Sequence, residues 1–323
     1  ERVMQKKDFQ VGATFGIKAP ANVRIPGYAA PGPFTPAVDQ AYMFRSELLS
    51  DLLAWVSFGG REGLYLTGPT GSGKSSLILQ VAARLNIPVQ RVNGHGRMEL
   101  AELVGHYTAI GGDLVWQDGP LTVAMRYGHW FLIDELDLLE PAIVAGLNGI
   151  VEGAPLAIAE NSGEIVAPHP DFRFIATGNT AGSGDATGLY QGTLRQNLAF
   201  MDRFWVVEVG YPNQAQEEEI LKKAVPHLPA EIRGAIILCG QKIRNLFTGK
   251  DKDGPQIEVT MSTRTMIRWA QMVWFFHSLG SQGINPISHA LDRALGFRAE
   301  PTTRTALHEL VQRLVKGGHV PAP

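Results

Sequence analysis

The sequence contains only one cysteine, Cys239, among its 323 residues. A single thiol excludes an internal disulfide and a metal cluster held by several thiolates. No apolar run approaches the ~18 residues of a membrane-spanning helix, and the first residues lack the apolar stretch of a secretory signal. These absences predict a soluble, cytoplasmic protein without a membrane segment. Because the chain does not begin with Met, we expect it to be a fragment or a processed form.

Neither sign of charge predominates, since 29 Lys and Arg stand against 31 Asp and Glu. This balance argues against a protein whose main affinity is for nucleic acid. Hydrophobic residues make up 45% and charged residues 19% of the chain, a composition that can bury a core and that excludes wholesale disorder. The nine histidines are scattered, without the spacing typical of a zinc site.

The hydrophobic pattern divides the chain into three parts. Residues 1–60 are rich in Pro and Gly and predict an extended lead-in that ends in a first helix. In residues 61–212 short apolar runs alternate with helical periods, which predicts a parallel sheet with helices on both faces. Residues 213–323 show helical periods only and predict a helical C-terminal domain. The predicted strands are 63–67, 88–92, 129–134, 172–177 and 205–209.

The first predicted strand leads directly into a glycine-rich loop with the pattern Gly-x4-Gly-Lys-Ser. Such a loop aims successive N–H groups at phosphate oxygens, and the positive end of the following helix faces the same anion. Lys74 is expected to reach the β- and γ-phosphates, and the Ser75 hydroxyl to bind Mg²⁺. The predicted nucleotide-binding residues are Gly68, Pro69, Thr70, Gly71, Ser72, Gly73, Lys74, Ser75 and Ser76.

Polar residues follow two later strands at the point where each strand ends. Asp134 and Glu135 follow one of them, and Asn179 follows the next. Asp134 is expected to hold the Mg²⁺ shell, Glu135 to polarise the attacking water, and Asn179 to orient that water or to contact the γ-phosphate. Each pattern taken alone is typical of a solvated strand end or a turn. The phosphate loop upstream favours the catalytic interpretation.

The phosphate loop, the Asp134-Glu135 pair and the strand-terminal Asn179 together resemble the AAA+ ATPases. Within them the chain is similar to the MoxR group, and most of all to the small ATPase subunits of aerobic cobaltochelatase (CobS-like). The segments 168–173, 188–193 and 201–203 are the most specific parts of this resemblance, which is weakest after Pro212. It implies a P-loop AAA+ core whose sheet is sandwiched by helices, a C-terminal helical lid domain, ATP as the nucleotide, and a homo-oligomeric, hexameric ring.

The resemblance also implies roles for arginines. Arg203 is identified as the arginine finger, which reaches the γ-phosphate bound by the neighbouring subunit, and Arg195 is the alternative. Arg264, at the start of a C-terminal helix, is similar to the sensor 2 of the family, and Arg268 one helical turn later competes for that role.

Two further segments resemble insertions of the MoxR group, namely 111–120 and 156–165. In ring ATPases such loops point into the pore and grip a partner; ordinary hairpins remain the alternative. Leu136 departs from the chelatase subunits, where an aromatic residue is expected after the acidic pair. The residues for ATP hydrolysis are therefore expected to match those of the chelatase subunits, whereas the sequence leaves the substrate undecided.

The expected function is Mg-dependent ATP hydrolysis by a ring that remodels a partner. The leading hypothesis is the motor subunit of a cobaltochelatase-like complex, with a von Willebrand factor A-domain protein and a large chelatase subunit as partners. The alternatives are a MoxR-type activator of another enzyme, a nucleic-acid-directed ATPase, and a nucleotide-binding scaffold with little turnover. No residue pattern in the chain encodes cobalt itself.

Overall fold

The computed structural model describes residues 4–182, 184, 192–251 and 256–315. The chain forms two compact units. Residues 188–191, which belong to one of the segments that carry the family resemblance, lie outside the described residues. The first unit comprises Glu1–Gln40, Phe44–Pro69 and Gly73–Gly210, and the second comprises Ala41–Met43, Thr70–Ser72 and Tyr211–Pro323.

The first unit opens with regular elements where the sequence predicts an extended lead-in. Strand β1 (Lys6–Gln10) pairs antiparallel with β2 (Arg24–Tyr28), and helix α1 (Val11–Phe15) lies between them in the chain. Apolar side chains of these elements, among them Val11, Phe15 and Ile25, are buried in the core of the first unit, so the lead-in packs against the rest of that unit. Helix α2 (Ser46–Phe58) follows and buries Leu49, Leu52 and Trp55.

The five strands that the hydrophobic pattern predicts are present and are separated by helices, and two further hairpins lie between them in the chain. The elements are β3 (Gly63–Thr67), α3 (Lys74–Arg84), β4 (Val89–Asn93), α4 (Leu100–Val104), β5 (Gly105–Ile110), β6 (Asp113–Asp118), α5 (Pro120–Tyr127), β7 (Trp130–Asp134), α6 (Pro141–Gly146), α7 (Asn148–Val151), β8 (Leu156–Ile158), β9 (Glu164–Val166), β10 (Arg173–Gly178), α8 (Leu198–Met201) and β11 (Phe204–Glu208).

Five of these strands form one sheet in the order β11-β3-β10-β7-β4, and every neighbouring pair is parallel. The predicted α/β fold class is therefore confirmed. The register pairs Gly178 with Thr67 across β10 and β3, and Asn93 with Asp134 across β4 and β7. The ends of β3, β4, β7 and β10 consequently lie side by side at the carboxyl edge of the sheet.

Apolar side chains cover both faces of this sheet. On β7, Trp130 and Leu132 enter one core, whereas Phe131 and Ile133 enter the other. Successive residues of a strand point to opposite faces, so a strand that is buried on both sides reads as a continuous apolar run. Helices α2 and α3 contribute to the first core, and α5 and α7 contribute to the second.

The second unit is helical within the described residues. Several of its helices begin at polar caps: Asn213 accepts a hydrogen bond from the Gln216 amide, and Ser262 accepts one from the Thr265 amide. No helix in the described ranges has the length and apolar character needed to cross a membrane. The helices are α9 (Gln214–Ala224), α10 (Ala230–Phe247), α11 (Thr263–Phe275), α12 (Pro286–Ala294) and α13 (Pro301–Leu314).

Candidate functional site

The lysine of the phosphate loop is buried at the first turn of α3. Lys74 Nζ donates to the carbonyl oxygens of Gly68 at 2.8 Å and Pro69 at 3.1 Å, and to Asn179 Oδ1 at 3.1 Å. Burial lowers the pKa of the Lys74 amine to about 8, although the carboxylates of Asp137, Asp134 and Glu135 oppose that fall. Lys74, which is predicted to bind phosphate, is therefore hydrogen-bonded to Asn179, which is predicted to orient the attacking water.

The loop itself depends on glycine at two positions where no other residue fits. Gly68 has φ +140°, and a Cβ there would lie 2.3 Å from the Val209 carbonyl oxygen. Gly71, which belongs to the second unit, has φ +69°, and a Cβ there would lie 2.2 Å from Cβ of Ser262. Both angles lie where L-residues with a side chain are strained. Of these two, Gly68 belongs to the Gly-x4-Gly-Lys-Ser pattern, and the second glycine of that pattern, Gly73, also has a positive φ of +98°.

Asp134 receives hydrogen bonds from three different elements. Its Oδ1 accepts from the Ser75 hydroxyl on α3 and from Thr177 Oγ1 on β10, the latter at 2.9 Å. Its Oδ2 accepts from Arg91 Nε on β4 at 2.6 Å. The carboxylate is buried, so each of these donors offsets the cost of removing a charge from water. The predicted metal-binding pair, Ser75 and Asp134, is in direct contact.

Glu135 lies in the left-handed backbone region, with φ 57° and ψ 43°. Such a conformation costs a non-glycine residue on the order of 1 kcal/mol, and here it turns the chain sharply out of β7. The Glu135 amide donates to Thr177 Oγ1 at 3.3 Å, while its side chain is exposed. Thr177 therefore holds both residues of the acidic pair.

Asp137 fixes the backbone that carries Asn179. Its Oδ2 accepts from the Asn179 amide at 2.8 Å and from the Thr180 amide at 3.1 Å, and the side chain is fully buried. Tyr65 on β3 donates its hydroxyl proton to the Thr180 carbonyl oxygen at 2.8 Å. Burial and the nearby Asp137 raise the pKa of Tyr65, so this phenol stays a donor.

The two arginines predicted as finger candidates differ in their contacts. Arg203 precedes β11 directly, and its Nε lies 2.9 Å from Glu152 Oε1. The same guanidinium donates to the Ala199 carbonyl oxygen. Arg195 has an exposed side chain. Within the described part of the chain, the contacts of Arg203 are thus with Glu152 and Ala199 and not with the residues around Asp134.

The predicted sensor 2 residue lies in the first turn of α11. Ser262 caps this helix, and Arg264 and Arg268 follow one turn apart, both exposed to solvent. Because both arginines are exposed, burial does not distinguish them, and the choice between them stays a prediction.

Both predicted insertions form hairpins in the first unit. Strands β5 and β6 pair antiparallel on either side of Gly111 and Gly112, and β8 pairs with β9. Each hairpin exposes a large apolar residue: the exposed fraction is 72% for Leu114 and 70% for Ile165. Unlike the five-stranded parallel sheet, whose faces are covered, these hairpins leave apolar side chains exposed to solvent.

One arginine joins the two hairpins. Arg126 on α5 donates to Asp118 Oδ2, at the end of β6, at 2.6 Å and to Glu164 Oε2, at the start of β9, at 2.7 Å. Asn161 adds a hydrogen bond of 2.8 Å to the same Glu164 oxygen. The hydrogen bond from Arg126 holds the pKa of Glu164 below its usual value. The exposed side chains of Leu114 and Ile165 thus belong to two hairpins that Arg126 connects.

Sequence reasoning missed Arg91, Thr177 and Asp137, and a signal for two of them was present. Arg91 interrupts a predicted apolar strand, and Asp137 stands alone in the run Leu136-Asp137-Leu138-Leu139. A charge inside an apolar segment indicates a specific buried partner. Thr177 gives no such signal, since threonine is common in strands.

Replacement of Asp137 by alanine tests its structural role. Asp137→Ala leaves the partly buried amides of Asn179 and Thr180 without this acceptor, so we expect the free energy of unfolding to fall by about 2–4 kcal/mol. Urea denaturation followed by tryptophan fluorescence measures this change. The matched control is Asp51→Ala, an exposed position on α2, where a change below about 0.5 kcal/mol is expected. Equal stability of the two variants contradicts the role of Asp137.

Two protein families match consecutive parts of the chain. Residues 63–204 match the AAA domain of the dynein-related subfamily. Residues 217–314 match the CbbQ/NirQ/NorQ C-terminal family. The first match spans the parallel sheet, from β3 into β11, and the second spans the helices α9 to α13.

Two curated relatives match over most of their length. The aerobic cobaltochelatase subunit CobS of Sinorhizobium sp is 31% identical over 271 residues, which cover 82% of this chain and 80% of CobS. Protein NorQ of Paracoccus denitrificans (strain Pd 1222) is 30% identical over 290 residues, which cover 88% of this chain and 94% of NorQ.

A solved structure shows the same fold. A RuvB mutant of Thermotoga maritima matches with a TM-score of 0.50 and 14% identity, over 77% of this chain and 70% of that chain. At this identity the likeness shows the fold alone. The two family matches and the identity to CobS and NorQ over most of each chain show more: this chain belongs to the MoxR-type AAA+ ATPases and is CobS-like.

Proposed function

We propose that this protein binds ATP with Mg²⁺ at the carboxyl edge of its sheet and hydrolyses it in an oligomeric ring that remodels a partner protein. The observation that carries the proposal is the convergence of Lys74, Ser75, Asp134 and Asn179 through direct hydrogen bonds. These four side chains come from a helix and two strands that are distant in sequence. Together they provide a positive charge from Lys74, a pair of oxygen ligands from Ser75 and Asp134, and a neutral amide from Asn179.

The donor set fits a magnesium ion. Ser75 offers a hydroxyl oxygen and Asp134 a carboxylate oxygen, and oxygen ligands of this kind are those that Mg²⁺ prefers. A bound Mg²⁺ would supply positive charge that neutralises the phosphates of ATP. Lys74 would add a second positive charge, and the backbone N–H groups of residues 68–76, apart from Pro69, which has none, would hold the phosphate oxygens.

Glu135 is the proposed general base. Its carboxylate is exposed at the end of β7, where a water molecule can reach it, while its backbone is fixed by Thr177. Asn179, held by Asp137, orients that water without repelling the γ-phosphate. Arg264, or Arg268 in its place, is proposed to contact the bound nucleotide as the sensor 2 residue.

Arg203 is proposed to complete the site of a neighbouring subunit. A cation that arrives from outside offsets the charge that develops on the transferred phosphoryl group. In its own chain the Arg203 guanidinium pairs with Glu152, a contact that it would give up on reaching a neighbouring site. A hexameric ring gives each ATP such a neighbour.

The two hairpins joined by Arg126 are proposed to grip the partner. Leu114 and Ile165 expose apolar side chains that a protein segment can cover. Because Arg126 connects both hairpins, movement of one is passed to the other.

Two kinds of partner complex are candidates. Identity to CobS over most of the chain supports the motor subunit of a cobaltochelatase-like complex, which includes a large chelatase subunit and a von Willebrand factor A-domain protein. The match of residues 217–314 to the CbbQ/NirQ/NorQ C-terminal family favours an activator of another enzyme, again with an A-domain protein. Mass spectrometry of proteins retained by tagged Glu135→Gln with ATP separates them: a large chelatase subunit supports the first, another enzyme supports the second, and nucleic-acid proteins alone contradict both.

Replacement of the proposed base tests the hydrolytic step. Glu135→Gln removes the proton acceptor and keeps the size of the side chain, so we expect ATP binding to persist and phosphate release to fall by at least about 100-fold. Calorimetric binding and a phosphate-release assay measure the two quantities. Glu309→Gln, an exposed position on α13, serves as the control with unchanged turnover. Normal turnover in Glu135→Gln would contradict the assignment.

Mixing of two inactive variants tests the finger in trans. Arg203→Ala is expected to lose hydrolysis by at least about 100-fold, and Lys74→Ala to lose nucleotide binding. In mixed rings about a quarter of the junctions combine an intact Lys74 with an intact Arg203, so phosphate release should partly recover. Absence of recovery in rings shown to be mixed means that Arg203 acts within its own chain or not at all. The same mixture with Arg195→Ala tests the alternative finger.

A further inference from the structure

Arg91 lies on β4, outside every motif that the sequence offers for nucleotide binding. Its Nε donates to Asp134 Oδ2 at 2.6 Å, and its side chain is 45% exposed, whereas Asp134 is buried. The pairing follows from the sheet, since β4 lies next to β7 in parallel register. Arg91 therefore approaches Asp134 from a neighbouring strand and not from the phosphate loop.

The hydrogen bonds of Asp134 divide its two oxygens between different donors. Oδ1 accepts from the neutral hydroxyls of Ser75 and Thr177, and Oδ2 accepts from the charged guanidinium of Arg91. Arg91 is thus the cationic partner of the carboxylate that is proposed to hold Mg²⁺. The pair opens when the guanidinium moves away or when another cation competes for the carboxylate.

We propose that Arg91 is an exchangeable counter-ion of Asp134: it neutralises this carboxylate in the absence of nucleotide and releases it when Mg²⁺ arrives with ATP. This inference rests on the proposed function, because it takes Asp134 as a metal ligand. Arg91 is a positioning residue, since it acts through Asp134 and does not touch the reacting atoms.

The electrostatic consequence is that metal binding depends on nucleotide. A divalent cation that enters without ATP meets the positive charges of Arg91 and Lys74 and competes with Arg91 for Asp134. The phosphates of ATP bring enough negative charge to reverse this balance. The half-exposed guanidinium has solvent to move into, and a bound cation then compensates the buried carboxylate that it leaves. Arg91 thus disfavours occupation of the site by metal alone.

Binding of Mn²⁺ without nucleotide, followed by electron paramagnetic resonance of the free ion, tests this inference on the full chain. Arg91→Gln removes the competing charge, so we expect Mn²⁺ to bind about tenfold more tightly than to the wild type. Arg91→Lys keeps the charge and should stay within about twofold of the wild type. Arg24→Gln removes one positive charge at an exposed position on β2 and should also stay within about twofold.

The outcomes separate this inference from the function on which it rests. Equal Mn²⁺ affinity of Arg91→Gln and Arg24→Gln overturns the role of Arg91, and so does equal affinity of Arg91→Gln and Arg91→Lys. Should Arg91→Gln fail to fold, Arg91→Met keeps the aliphatic stem and carries the same tenfold expectation. Binding of Mn-ATP to the wild type, compared with Lys74→Ala, is measured in parallel: its absence from the wild type defeats the proposed function itself.

Discussion

The site depends on the parallel pairing of neighbouring strands, which brings their carboxyl ends to one edge of the sheet. Asp134 ends β7, Thr177 lies near the end of β10, and the phosphate loop follows β3. Parallel register places these residues within hydrogen-bond distance although more than a hundred residues separate the first from the last. The apolar cores on both faces stabilise that register, because a shift by one residue would turn every buried side chain to the wrong face.

The edge is also a small cluster of opposite charges that are removed from water. Asp134 and Asp137 are buried, and the Lys74 amine is held nearby by the loop carbonyls. The two carboxylates differ in what they hold, because Asp134 contacts side chains of three elements, whereas Asp137 binds backbone amides beside Asn179. Two aspartates three residues apart thus make different contacts, and Glu135 between them is exposed to water.

The sequence alone predicts the parallel sheet and the identities of Lys74, Ser75, Asp134 and Asn179, because each follows a strand and belongs to a recognisable pattern. It does not predict that Arg91 reaches Asp134, because that contact depends on which strand lies next to β7 and in which register. The regular structure of the lead-in was missed for a related reason. Its apolar residues are too sparse to show the period of a helix or a strand. Their burial depends on contacts with the core of the first unit.

Proton uptake during ATP binding tests the central claim. This claim is that the buried Lys74 amine is partly neutral until the phosphates of ATP bind and stabilise its charged form. Because burial lowers the pKa of Lys74 to about 8, a larger share of this amine is neutral at pH 8 than at pH 7. Bound phosphates favour the charged amine and raise its pKa, so binding of Mg-ATP should take up a fraction of a proton at pH 8 and less at pH 7. Calorimetry in two buffers of different ionisation enthalpy measures this uptake. Binding heats that are equal in both buffers at pH 8 would contradict the account.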